Sequence, residues 1–194
     1  MSTEKNYLRL LRFCRPIVHL IYPFRARGVE NIPEGAALIC PLHSNWTDPF
    51  IVAVAMGKKN MCHPLAKEET RRMPLFGRIM AGIGTIFINR GEADIEAYKS
   101  CIRVLKNGEK LLIFPEGTRV HGDEDKGAKT GVIRMASRTG APIVPVYLPR
   151  DKKLFRRVDV IFGEPYTVER ASHADYEPMA QDLMDRIRAL KDTV

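Results

Sequence analysis

The chain has 194 residues, 45% of them hydrophobic and 28% charged, which is the size of one domain with an ordinary core and excludes disordered, collagen-like and disulfide-scaffold classes. Its 31 Lys and Arg against 23 Asp and Glu leave a formal net charge of +8, and residues 1–30 carry six basic side chains to two acidic ones. An anionic partner is expected, and charge alone leaves open a nucleic acid, a membrane surface or a phosphorylated ligand.

Residues 1–30 mix Leu8, Leu10, Leu11, Phe13, Ile17, Val18, Leu20, Ile21, Tyr22 and Phe24 with Arg9, Arg12, Arg15 and Arg25. The pattern predicts one or two short amphipathic helical segments broken near Pro16, lying in an anionic interface or packed on the domain with the arginines in water. The longest stretch without Asp, Glu, Lys or Arg is thirteen residues, Gly35 to Thr47, below the roughly 18 that a membrane-spanning helix needs. Arg9, Arg12 and Arg15 interrupt any signal-peptide core. The expected location is cytoplasmic.

Short apolar runs then alternate with helical patterns. Ala36 to Cys40 reads as a buried strand, Pro49 to Met56 as a helix, Met61 to Ala66 as a strand, Pro74 to Ala81 as a short helix and Thr85 to Asn89 as a strand. Ala93 to Lys106 is an amphipathic helix with Ile95, Tyr98, Ile102 and Leu105 on one face, stopped by Asn107-Gly108. Strand Lys110 to Phe114, helix Gly131 to Thr139, strands Ile143 to Leu148 and Val158 to Phe162, and a last helix Met179 to Leu190 with Leu183, Ile187 and Leu190 inward complete the pattern. The basic stretch Pro149 to Arg157 reads as a surface loop. The expected fold class is α/β: a single domain over 31–194 with a mixed, largely parallel central sheet flanked by helices, preceded by an N-terminal amphipathic helical segment over 1–30, the candidate membrane-associating segment.

Cys14, Cys40, Cys62 and Cys101 form no CxxC pair and read as buried thiols of a reducing compartment. Cys40, His43, Cys62 and His63 have zinc-ligating side chains, but their spacing matches no zinc template and no metal is expected.

Polar residues gather where strands end, and open α/β sheets bind ligands at the carboxyl ends of their strands. His43-Ser44-Asn45-Trp46-Thr47-Asp48 follows the first buried strand. The four intervening residues let the Asp48 carboxylate fold back onto Nδ1 of His43, leaving Nε2 as a base; equally, Asp48 before Pro49 reads as a helix cap. Phe114-Pro115-Glu116-Gly117-Thr118-Arg119 follows another strand, where Gly117 allows close approach of an anion and Arg119 can clamp phosphate, or the segment is a simple turn with a solvated Arg. Lys67 and Arg90 end two further strands. Converging in one cleft, these residues offer one general base and several cations, suited to a phosphate-bearing substrate that gives up a proton.

These segments resemble the four ordered blocks of the glycerolipid acyltransferases: HSNWTD their HxxxxD motif, GTIFINR the second block, FPEGTR the third and APIVPVYL (Ala141 to Leu148) the fourth, over roughly His43 to Pro165. The sequence is most similar to the PlsC-like 1-acylglycerol-3-phosphate acyltransferases. The resemblance implies an O-acyltransferase that moves an acyl group from acyl-CoA or acyl carrier protein to the free hydroxyl of a lysophospholipid, 1-acyl-sn-glycerol 3-phosphate before others, giving phosphatidic acid. It implies catalytic roles for His43 as base and Asp48 as its orienting partner. It associates Arg90 and Arg119 with acceptor phosphate, Glu116, Gly117, Thr118 and Lys67 with substrate binding, and Pro142 and Pro145 with the acyl-donor side. No cofactor beyond the acyl-thioester co-substrate is implied, and the place is the cytoplasmic side, peripheral on the inner face of the cell membrane. Rival readings are an acyltransferase for another glycerophospholipid or lysolipid, a silent lipid-binding module, and a basic nucleic-acid-binding domain; the last is disfavoured because basic residues are not interleaved with aromatics.

Overall fold

A computed structural model describes residues 2–89, 94–120, 127–169 and 175–193. Helix α1 (Thr3–Ile21) opens the chain, with the Ser2 hydroxyl accepting from the Lys5 N–H at its start. It runs unbroken through Pro16, against the sequence expectation of a break. Proline inside a helix costs about 3 kcal/mol, but Tyr7, Leu11 and Val18 are buried along the same helix, and burying side chains of this kind contributes about 1.5–3 kcal/mol each. Two polar contacts tie the helix down: Tyr7 Oη lies 3.4 Å from Cys62 Sγ, and Asn6 Nδ2 donates to Gly82 O at 3.1 Å.

The remaining elements are β1 (Phe24–Arg27), β2 (Ala37–Pro41), α2 (Asp48–Met56), β3 (Cys62–Lys67), α3 (Glu68–Arg71), α4 (Phe76–Gly82), β4 (Ile86–Ile88), α5 (Ile95–Lys106), β5 (Lys110–Leu112), α6 (Gly131–Thr139), β6 (Ile143–Tyr147), β7 (Val158–Phe162) and α7 (Tyr176–Ala189). The seven strands lie in the order β1-β7-β6-β2-β5-β3-β4, parallel at every pairing except the antiparallel β6–β7. The sheet is therefore mixed and largely parallel, as the sequence predicts. Every residue of β2 is buried, which is why its sequence is continuously apolar: helices cover both faces of a parallel sheet. On one face α1 and α2 pack Leu11, Ile51 and Met56 with Ile39 and Val144; on the other α5, α6 and α7 pack Leu105, Ile133 and Leu183 with Leu38 and Ile143.

Several details depart from the sequence reading. Phe24–Arg27 is a strand, registered Phe24 to Val158, rather than the tail of an amphipathic segment. Of the predicted face of α5, Ile102 and Leu105 are buried and Tyr98 packs beside them, with Ala97 and Cys101 joining; Ile95, the first residue of the helix after the Asp94 cap, is 63% exposed. Helix α7 begins three residues early, at Tyr176, with Pro178 accommodated in its first turn, where N–H groups have no helical partner in any case. Among the described residues no helix is long and apolar enough to cross a membrane.

Candidate active site

The carboxyl ends of β2, β5 and β6 lie side by side, because β2 pairs in parallel with both others. The loops that leave these three strands build the site. From the β2 loop, Asp48 is fully buried, and its Oδ2 accepts from His43 Nδ1–H at 3.1 Å and from the backbone N–H groups of Ser44 and Asn45 at 2.7 Å each. The carboxylate thus turns back onto its own loop rather than capping α2, which settles the two readings its sequence position allowed. An ionised carboxylate can only accept, so Nδ1 carries the ring proton and the lone pair sits on Nε2. The imidazole stacks on Phe114, ring centroids 4.0 Å apart, which fixes its plane.

Burial pushes the Asp48 carboxyl up, but the His43 hydrogen bond, the Lys152 ammonium and the Asn45 N–H outweigh it and hold the group below its ordinary value. From the β5 loop, buried Glu116 accepts the His43 backbone N–H at 2.7 Å through Oε2, and its Oε1 pairs with the Arg150 guanidinium. Burial raises the Glu116 carboxyl above its usual range, opposed by the His43 N–H and Arg150. The Val120 N–H donates to His43 O at 2.8 Å, so the base is clamped through both its backbone groups by the β5 loop. Gly117 makes the turn at φ +68, where a Cβ would press on Lys129 Cγ at 3.1 Å.

Of the residues singled out in the sequence, the structure brings His43, Asp48, Glu116 and Gly117 together. Thr118 and Arg119 are exposed on the same loop, Arg119 next to the Val120 that bonds His43. Lys67 is exposed at the end of β3, beyond β5 and so two strands from β2, roughly 10 Å across the sheet. Arg90 lies outside the described residues. Pro142 and Pro145 are built into the sheet through their carbonyls, which accept from Leu38 and Gly163. The zinc-type residues have other partners: Cys62 meets Tyr7, and the Gly84 carbonyl accepts from His63 Nδ1 at 2.8 Å. Burial pushes the Cys62 thiol up to about 11, which disfavours the thiolate that ligates metals.

The sequence reading missed two residues. Arg150 and Lys152 were expected on a basic surface loop, yet their side chains are 14% and 1% exposed and point into the site. The loop follows β6, which neighbours β2 in parallel, so the strand-end rule applied to His43 and Glu116 applies here too.

An acyltransferase family model matches residues 23–149, about two thirds of the chain and all three strand-end loops as far as Pro149. The chain is 33% identical over 144 residues to a 1-acyl-sn-glycerol-3-phosphate acyltransferase of Borreliella burgdorferi, covering 73% of this chain and 56% of that protein. It is 30% identical over 218 aligned positions to a probable 1-acyl-sn-glycerol-3-phosphate acyltransferase of Mycoplasma pneumoniae, covering 96% and 80%. The crystal structure of the PlsC 1-acyl-sn-glycerophosphate acyltransferase of Thermotoga maritima superposes with a TM-score of 0.69 over 97% of this chain and 78% of that one at 23% identity, so the two share a fold. With the family match lying over the strand ends that carry His43, Asp48 and Glu116, the chain belongs to the acyltransferase family, and the expectation of an O-acyltransferase enzyme stands.

Proposed function

We propose that this chain transfers an acyl group from an acyl thioester to the free hydroxyl of 1-acyl-sn-glycerol 3-phosphate, giving phosphatidic acid. The observation that carries the chemistry is the His43 Nδ1–Asp48 hydrogen bond in a buried loop, which leaves Nε2 with its lone pair. Nε2 takes the hydroxyl proton as the acceptor oxygen attacks the thioester carbonyl; the tetrahedral adduct collapses, the C–S bond breaks, and His43 returns the proton to the departing thiolate. Asp48 stabilises the imidazolium between the two transfers. No acyl-enzyme forms, so Ser44, whose hydroxyl donates to Arg150 O, needs no nucleophilic role. The co-substrate is acyl-CoA or acyl-acyl carrier protein, with no other cofactor.

Arg119 and Arg90, with Lys67 further along the strand ends, supply cations for the acceptor phosphate, and Glu116, Gly117 and Thr118 shape the loop that presents it. Phe13, Ile17 and Leu20 form an exposed stripe on α1 among Arg9, Arg12 and Arg15, which suits shallow burial in an anionic membrane and a peripheral place on its inner face. The test is purified protein with acyl-CoA or acyl-acyl carrier protein and a panel of lysolipids with and without a phosphomonoester, read by product mass. Phosphatidic acid as the main product is expected; turnover confined to acceptors lacking that phosphate would overturn the acceptor assignment.

A further inference from the structure

The Lys152 side chain is 1% exposed, and its ammonium meets three oxygens: Asp48 Oδ1 at 2.9 Å, Ser44 Oγ at 2.8 Å and Pro149 O at 2.6 Å. Removing a lysine from water is costly unless each of its protons finds a partner. Here two hydrogen bonds, to Ser44 Oγ and Pro149 O, are joined by an ion pair with the carboxylate that orients His43. The two oxygens of Asp48 are divided between the two side chains, Oδ1 to Lys152 and Oδ2 to His43 and the loop N–H groups. The Ser44 hydroxyl accepts from Lys152 and donates to Arg150 O, so the ammonium also joins the β2 loop to the β6 loop.

We propose that Lys152 is a positioning residue for acyl transfer: through Asp48 Oδ1 it fixes the rotation and charge of the carboxylate, and so the plane and tautomer of the His43 imidazole. The proposal rests on the reading of His43 as general base. It follows from geometry. The donors on Oδ2 and the ammonium on Oδ1 hold the carboxylate from both sides, and the ammonium's charge keeps it ionised and its plane aligned with Nδ1. With Oδ1 tied to an immobile ammonium, Oδ2 alone faces the ring. Glu116 and Arg150, on the β5 and β6 loops, are paired with each other, and among the described residues the Asp48 carboxylate pairs with His43 and Lys152.

The test is a double-mutant cycle on the full chain, using acyl-CoA and 1-acyl-sn-glycerol 3-phosphate. Lys152→Met is expected to lower kcat by about 10- to 100-fold, the scale of a small misplacement of a catalytic group, with KM for donor and acceptor changed less than about threefold, while Lys152→Arg recovers part of the rate. In an Asp48→Asn background the same Lys152→Met change is expected to cost less than about threefold further, since residues acting as a unit are not additive. Removing one partner of a buried pair is strongly destabilising. Where Lys152→Met does not fold, Lys152→Gln, which can still donate to Pro149 O, replaces it with the same expected split. Full kcat in a folded variant, a loss carried by KM, or an equal loss with and without the Asp48 carboxylate would overturn the proposal. Absence of turnover in the wild type would overturn both it and the reading on which it rests.

Discussion

Asp48→Asn is the most informative single substitution. If the new amide oxygen takes the place of Oδ2, it still accepts from Ser44 N, Asn45 N and His43 Nδ1, and the imidazole keeps its position. The amide nitrogen then faces Lys152 Nζ, donor to donor, where Oδ1 stood 2.9 Å away. The opposite rotamer is worse, because it turns two donor hydrogens toward three donors. The charge that stabilises the imidazolium is gone in either case, so kcat should fall about 10²–10⁴-fold, equivalent to roughly 2.7–5.5 kcal/mol at about 1.36 kcal/mol per decade. Stability should fall by about 3 kcal/mol, the low end for breaking a buried pair, since Lys152 keeps Ser44 and Pro149. For a domain of this size that lowers Tm by roughly 6–12 °C. Asp48 sits below its ordinary value of 3.8, so its stabilisation is present above that pH and is lost as pH falls beneath it; the stability gap between wild type and variant should close on acidification. Acyl-transfer rates well below Tm, with unfolding followed by circular dichroism against pH, check both parts. A folded variant within tenfold of wild-type kcat, or a stability gap independent of pH, would refute the reasoning.

Gly84 sits at φ +81 with the site of a Cβ 2.6 Å from His63 Nδ1 and 2.8 Å from Thr3 Cγ2, so Gly84→Ala should cost about 2–4 kcal/mol from backbone strain and overpacking together, measured by denaturant unfolding. Removing residues 1–25 would strip Tyr7, Leu11 and Val18 from the core, so membrane contact is better tested by replacing Phe13, Ile17 and Leu20 with Ser. That variant should keep its Tm and lose sedimentation with anionic vesicles, and high salt should weaken wild-type binding only in part because screening leaves the apolar contact intact. Arg119→Ala and Arg90→Ala should each raise KM for a phosphate-bearing acceptor about 10- to 100-fold, the equivalent of roughly 1.5–3 kcal/mol for a charged hydrogen bond, and spare acceptors without phosphate; equal losses in both classes would mark a structural role.

The continuous apolar runs at Ala37–Pro41, 111–114 and Ile143–Tyr147 made the buried parallel strands legible, and the polar residues after the first two located two of the three loops of the site. Phe24–Arg27 was hidden because β1 carries arginines on a half-exposed edge, where period and hydrophobicity are weak guides. Ile95 was misplaced because it is the first residue of α5, and apolar spacing does not report where along the helix the packed surface begins. Lys152 and Arg150 escaped notice because charged residues after a strand look alike in sequence whether they face solvent or a buried carboxylate. Only the adjacency of β6 and β2, a long-range pairing, tells the two apart.

The central claim is that His43 Nε2 removes the acceptor proton. Its most direct test is the initial rate of diacyl product formation by His43→Ala, read by mass spectrometry beside wild type at matched fold and Tm. Nδ1 is the atom that bonds Asp48, and without it the carboxylate keeps the Ser44 and Asn45 N–H groups and Lys152, so the variant should fold. The rate should drop about 10²–10⁴-fold or more, as expected for loss of a general base. Product formation within a few-fold of wild type would contradict the mechanism.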